Sequence, residues 1–349
     1  MSEFCQGCGA AFQSHSQHKP GYRTSNDHSL CTRCFSLRHY NKPVDLEESC
    51  VLRVIPSDAL GVVIVDLFDL ELGLLSRLPR HFSGQFLFVA NKIDLFGDAL
   101  SPVKTKDYLR RLLREYGLKP LDVYLTSAHY SRSIEQLLDG IAQYQKDEIY
   151  LIGPTNAGKS SLLNQMLRSL DIVHEVTVSA FANTTLDHIG IQLKDVMLYD
   201  TPGLLRDNHI HHVLRTSLSV IIPKKVVKPT TYQLYKPTSI YIAGFAYVNI
   251  PTACSVTLYT ASGMPLHKRG TEGAAEFFTS HNHDILQVPT PEEASLLGPM
   301  VFDTINVRHD EDLIFEGIGF LHASVNLRLE IHHYAAVKVY TRPRLLGRV

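Results

Sequence analysis

The stretch that most limits what this 349-residue chain can fold into is "YLIGPTNAGKSSLLNQM", residues 150–166. An apolar run, then GxxxxGK[ST], then apolar residues at helical spacing reads as strand, loop and helix, the context in which this glycine pattern has a physical task. Gly153 and Gly158 let the backbone curl until successive N–H groups point at phosphate oxygens, Lys159 reaches the β- and γ-phosphates, and Ser160 ligates Mg²⁺. Asn156, Ala157 and Ser161 belong to the same loop. Farther on, "VMLYDTPG" ends an apolar run at Asp200, placed to hold Mg²⁺ through water, and brings the N–H of Gly203 to the γ-phosphate. Between the two, "ANTTLD" offers Thr184 and Thr185 as the threonine that closes over the metal, with Thr185 preferred.

A second loop stands earlier in the chain. In "FVANKIDLF" (88–96) an apolar run ends in Asn91, Lys92 and Asp94. A carboxylate at Asp94 accepts from both the ring N–H and the exocyclic amine of guanine. Adenine has no ring N–H there and would leave the charge partly unpaired in a desolvated pocket, a mismatch that can reach factors of about 10⁴. "LTSAH" follows one strand and helix later, and Ser127 with Ala128 supplies the backbone contact to the guanine O6. GTP is therefore expected over ATP.

In ordinary GTPases the guanine-reading loop follows the phosphate loop; here it precedes it. The succession of guanine-reading loop, Ser-Ala loop, phosphate loop, threonine and DTPG is the ordinary cycle cut before its fourth strand and rejoined. Circular permutation is physically tolerable, because domain termini lie near one another on the surface and every buried contact is kept. The expected activity is Mg²⁺-dependent hydrolysis of GTP to GDP and phosphate, with Lys159, Thr185 and Gly203 acting at the γ-phosphate.

The remaining pattern suits this frame. "GVVIVD" (61–66), "QFLFVAN" (85–91), "LDVYLTS" (121–127), "EIYLIG" (148–153) and "VMLYD" (196–200) are buried-strand runs, separated by amphipathic stretches at 103–117, 133–144 and 159–170. That alternation predicts an α/β domain on a mainly parallel sheet. From about Val226, period-two alternation rich in Val, Ile, Thr and Tyr predicts a separate, mainly β domain. At the other end, Cys5 with Cys8 and Cys31 with Cys34 form two CxxC knuckles, the spacing of a tetrahedral zinc site. The chain thus divides into a zinc-binding module (1–43), a permuted P-loop GTPase domain (44–225) and a C-terminal mainly β domain (226–349). Cys50 and Cys254 lack such partners and read as core residues.

A net charge of -1 leaves any nucleic-acid contact to a local basic patch. No leader-like start and no apolar run of membrane-spanning length is present, so a cytoplasmic protein is expected.

Permuted GTPase motifs behind a four-cysteine knuckle, with "CQGCG", "KPGY" and "CTRCFSLRHYN", resemble the YqeH family of bacterial ribosome-assembly GTPases over nearly the whole chain. The resemblance implies a GTP/GDP switch supporting maturation of the small (30S) ribosomal subunit, with the last domain contacting rRNA or protein; the chain is read as a monomer. One departure is the segment "ANTT" (182–185), where "PGTT" is expected. Asn156 resembles the asparagine that K⁺-stimulated GTPases use as an ion ligand, where the cation offsets charge between the β- and γ-phosphates. Leu204 stands where many GTPases place a water-orienting glutamine, so intrinsic hydrolysis should be slow. The alternative is a nucleotide-gated RNA- or protein-binding module whose hydrolysis is incidental.

Other residues are read more plainly. His209, His211 and His212, and His281 with His283, offer a metal or nuclease reading, but exposed histidines in polar loops are common and that plainer reading is preferred. Lys224, Lys225 and Lys228, with Arg342, Arg344 and Arg348, are either RNA-contacting patches or solvated charge. Tyr241, Phe245 and Tyr247 share one strand face by period two and read as core.

Overall fold

The computed structural model describes residues 12–15, 22–23, 31–32, 55–81, 84–170, 189–193, 196–201, 209–282 and 284–346. These fall into two compact units. One holds the described residues up to Asp66, Gly73–Asn91 and 113–201; the other holds Leu67–Leu72, Lys92–Leu112 and 209–346.

In the first unit β1 (Leu60–Asp66) is buried at every residue and β2 (Gln85–Asn91) at every residue after the first. Such strands are covered on both faces, as those of parallel sheets are. With β3 (Val123–Leu125), β4 (Glu148–Ile152), β5 (Ile189–Leu193) and β6 (Val196–Asp200) they form a six-stranded sheet of order β3-β2-β1-β4-β6-β5. All neighbours are parallel except the edge pair β5 and β6.

α1 (Leu72–His81) follows β1 and lies outside the amphipathic stretches, whose helices are α2 (Pro102–Glu115), α3 (Ser131–Ala142) and α4 (Lys159–Ser169). Pro102 opens α2 with its φ already set for the helix. Gly117, at φ +70, closes that turn: Leu118 N–H donates to the Leu113 carbonyl at 2.9 Å and Gly117 N–H to Arg114 at 3.0 Å. Ile134, Leu137 and Ile141 of α3 and Leu162, Leu163, Met166 and Leu167 of α4 pack on Leu60, Val62, Ile64, Leu87, Val89, Ile149 and Leu151. One sheet face thereby gains its core, in register with the period-two strand positions. The chain proceeds from β1 to one side and from β4 to the other, so the crevice beyond their carboxyl ends is a topological switch point, where open α/β sheets bind ligands.

The second unit carries two five-stranded antiparallel sheets. The first is ordered β16 (Val339–Pro343), β13 (Glu311–Phe315), β14 (Gly319–Ala323), β10 (Cys254–Thr260) and β7 (Thr230–Leu234). The second is ordered β11 (Leu266–Gly270), β8 (Thr238–Ile242), β9 (Ala246–Ile250), β15 (Leu327–Tyr334) and β12 (Met300–Val307). β15 alternates cleanly, with Leu327, Leu329 and Ile331 inward and Arg328 and Glu330 exposed. Residues of both sheets, among them Val256, Leu313, Leu321, Ile240, Val248 and Leu329, share one core. Four short helices accompany the sheets, α5 (Ile210–Val213), α6 (Leu218–Ile221), α7 (Ala274–Ser280) and α8 (Pro291–Leu296); Ile210 and Ile221 join this core, while Phe277 and Phe278 of α7 belong to a second cluster.

Three expectations need correction here. Tyr241, Tyr247 and Phe245 are all buried, but Phe245 lies in the inter-sheet core while Tyr241 and Tyr247 pack with Phe277 and Phe278. Ala243, at φ 45, turns the chain between β8 and β9 and breaks the period of two. Arg342 is no surface charge: it is buried with its Nε 3.8 Å from Asp312 and its guanidinium over the Phe320 ring. His209 is also buried, at 1% exposure, rather than lying in an open polar loop.

Candidate nucleotide site

β4 delivers its last residue, Ile152, to the switch point, and Gly153 follows. A Cβ there would sit 2.1 Å from the Ile64 carbonyl oxygen, so only glycine lets the loop leave between β4 and β1. Asn156 at φ 65 and Gly158 at φ 86 turn the loop back in the left-handed region, and α4 begins at Lys159. The N-terminus of this 11-residue helix, with unpaired N–H groups and the positive end of its dipole, is a ready site for an anion.

Lys159 is buried, its Nζ donating to the Gly153 carbonyl at 2.8 Å. Burial lowers its pKa, and the nearby Asp200 carboxylate partly opposes that. Asp200, registered against Leu151 at the end of β6, is pushed up by burial and pulled down by Lys159. Its Oδ1 is buried and has no hydrogen-bond partner among the described residues. An orphan carboxylate oxygen beside a helix N-terminus that offers the exposed hydroxyl of Ser160 is a donor set that fits a hard divalent cation such as Mg²⁺. Thr201 fixes Asp200 in place, its Oγ1 donating to the Leu151 carbonyl at 2.7 Å.

β2 ends at Asn91, which is buried. Its Nδ2 donates to the carbonyl of Ala157, in the phosphate loop, at 2.9 Å, and its Oδ1 accepts from Thr126 Oγ1 at 3.3 Å. One side chain therefore joins the end of β2, the residue after β3 and the phosphate loop. The residues that follow it are Lys92, in the left-handed region at φ 63, and Asp94, in the first turn of a 3-10 segment, Ile93–Ala99. Ser127 is buried: its N–H donates to Ser133 Oγ at 3.2 Å and its own Oγ accepts from His129 N–H at 3.0 Å. The Ser127 side chain thus shapes the turn that carries Ala128.

Thr126 and Ile64 play parts that the motifs did not point to; Thr126 stands immediately before "SA", the one local hint. Thr184, Thr185, Gly203 and Leu204 lie outside the described residues, as do Cys5, Cys8, Cys34, Cys50, His283 and Arg348. Cys31 is buried, and next to it Thr32 N–H donates to the Tyr22 carbonyl at 2.8 Å.

A parallel sheet with a glycine-rich loop and helix at its switch point, a carboxylate on the neighbouring strand and an asparagine tying in a third loop define a P-loop GTPase domain, here with an antiparallel β body. A family model described as "50S ribosome-binding GTPase" matches residues 148–232, and one described as "YqeH-like, C-terminal" matches residues 253–345. The chain is 31% identical over 339 residues to "Uncharacterized protein YqeH" of Bacillus subtilis (strain 168), covering 91% of this chain and 92% of that protein. It is 27% identical over 252 residues to "Nitric oxide-associated protein 1" of Homo sapiens, 52% of this chain and 35% of that one. It is 28% identical over 169 residues to "GTPase Der" of Agathobacter rectalis, 42% of this chain and 35% of that one. The chain belongs to the YqeH family. A GTPase domain implies GTP as ligand with Mg²⁺. Among the described residues no helix is long and apolar enough to cross a membrane.

Proposed function

We propose that the chain is a GTP-hydrolysing switch that assists assembly of the small ribosomal subunit, working in the cytoplasm on a circularly permuted GTPase domain. The observation that carries this reading is the Asn91 bond to Ala157, which couples the start of the NKxD loop to the phosphate loop within one folded unit. The sheet order supports the permutation: counted cyclically from β4, the strand bearing the phosphate loop is central and the first three strands of the chain take the last three places.

Asn91, Lys92, Asp94, Ser127 and Ala128 would select guanine; Gly153 to Ser161 would cradle the phosphates. Lys159 would exchange the Gly153 carbonyl for β- and γ-phosphate oxygens. Ser160, Thr185 and Asp200 would hold Mg²⁺, which supplies charge neutralisation at the phosphates when bound. Gly203 would donate its N–H to the γ-phosphate. Asn156, exposed at the loop's crest, would carry K⁺, and Cys5, Cys8, Cys31 and Cys34 would hold zinc. In this reading the domains remain 1–43, 44–225 and 226–349, and the last contacts RNA or protein.

The matching family model is described as binding the large subunit, so the partner is tested by co-sedimentation with separated subunits in each nucleotide state. GTP-dependent association with the small subunit, and single-turnover hydrolysis stimulated by it, is the expected result; association with the large subunit alone overturns the assignment.

A further inference from the structure

The second unit contains a cluster that uses none of the nucleotide-site residues. Asp69, in the turn after β1, presents Oδ2 3.5 Å from His209 Nε2, while its Oδ1 accepts from Gly317 N–H at 2.9 Å. His211 pairs its Nε2 with the Gly317 carbonyl at 2.8 Å, which makes that nitrogen the protonated one and leaves a lone pair on Nδ1. One ligand atom from each of Asp69, His209 and His211 lies within 4.8 Å of the others. We propose that these three residues form a binding site for a divalent transition metal, zinc foremost.

The chemistry selects the class of ion: two imidazoles and one carboxylate suit Zn²⁺ and its neighbours, not Mg²⁺ or Ca²⁺, which prefer all-oxygen shells. The backbone of Gly317 holds Asp69 and His211 from behind, the outer-shell arrangement that aims metal ligands. Gly317 has to be glycine for this: at φ +79, a Cβ would come 2.9 Å from His209 Cε1 and 2.8 Å from Ile210 Cγ1. Buried Glu71 and Glu316 add negative charge in the same body, with Lys338 3.1 Å from Glu316 as a counter-ion.

A competing arrangement exists. His209 Nδ1 accepts from His211 N–H at 3.2 Å, which puts the ring proton on Nε2, facing Asp69 Oδ2 at 3.5 Å. Binding metal through Nε2 requires the other tautomer, with the ring proton on Nδ1, and gives up the 3.2 Å contact. The bound ion would clip together two segments distant in sequence, the turn after β1 and residues 209–211 at the start of α5, with the β13–β14 turn behind them.

Cobalt(II) titration of the full-length chain separates the two arrangements. The cysteine knuckles give thiolate charge-transfer bands; the proposed site adds one equivalent of d–d absorption without them, displaced by Zn²⁺. In His211→Ala and Asp69→Asn this component should weaken by at least ~10-fold, while His212→Ala, altering an exposed neighbour, keeps it. Equal titration of wild type and both ligand variants overturns the site. Far-UV circular dichroism checks that the variants fold. X-ray absorption on the wild type loaded with two equivalents must show imidazole and oxygen ligands; a shell of sulfur alone overturns the proposal without any variant.

Discussion

The Glu293 carboxylate joins the starts of two helices, and Glu293→Gln measures what that contributes to stability. Its side chain is 5% exposed and serves two helices at once. Oε1 accepts from the N–H groups of Arg215 and Thr216, both at 2.7 Å, and of Ser217 at 3.1 Å, ahead of α6. Oε2 accepts from the Ser217 hydroxyl and from Thr290 N–H at 3.1 Å, closing a capping box at α8. Burial by itself would raise the carboxyl, but the donors from Ser217, Thr290 and Arg215 together outweigh it and hold it down at about 2, against an ordinary 4.5. At ~1.4 kcal/mol per pH unit that difference is about 3 kcal/mol of folding free energy. The folded value is depressed, so this stability is fully present above pH 4.5 and is lost as pH falls toward 2. Glutamine keeps one acceptor oxygen but turns its amide against Thr290 N–H, so the loss at neutral pH should be about 2–3 kcal/mol. Urea unfolding followed by circular dichroism reads it, at pH 7 and at steps down to pH 3. A loss under about 0.5 kcal/mol, or wild-type and variant stabilities that stay parallel down to pH 3, would refute the reasoning.

Other outcomes follow from the nucleotide site. Asn91→Ala removes two buried hydrogen bonds and strands the Ala157 carbonyl, at about 1 kcal/mol each, so GDP affinity by calorimetry should drop ~10- to 100-fold with the fold retained. Gly153→Ala drives a Cβ into the Ile64 carbonyl and should abolish nucleotide binding, checked by fluorescence of a labelled GDP. Hydrolysis in K⁺ should exceed that in Na⁺ through Asn156; equal rates would remove the ion from the scheme.

The phosphate loop was legible because everything it needs is local: Gly153, Gly158 and Lys159 sit between an apolar run and a helical one. The interior strands were legible for the same reason, since β1 and β2 are apolar at nearly every residue. β5 was missed: "IGIQL" is a short edge strand with little to mark it. His209 looked exposed because its neighbours in sequence are polar; what buries it is a body that includes Asp69 and Gly317, far away along the chain. Nor could Glu293 show from its own surroundings that it caps residues 215–217 as well as its own helix. The face shared by Tyr241 and Tyr247 was read correctly, while Phe245 escaped it because one left-handed residue, Ala243, resets the alternation.

The most direct test of a single site for guanine and triphosphate changes the base and one side chain together. Wild-type protein should bind GDP and reject xanthosine diphosphate, whose C2 carbonyl would face the Asp94 carboxylate. In Asp94→Asn the amide can donate to that carbonyl, so xanthosine diphosphate should bind and GDP should weaken, by about 10²-fold or more. If Asp94→Asn keeps its affinity for GDP and gains none for the xanthine nucleotide, Asp94 does not read the base, and the guanine site lies elsewhere.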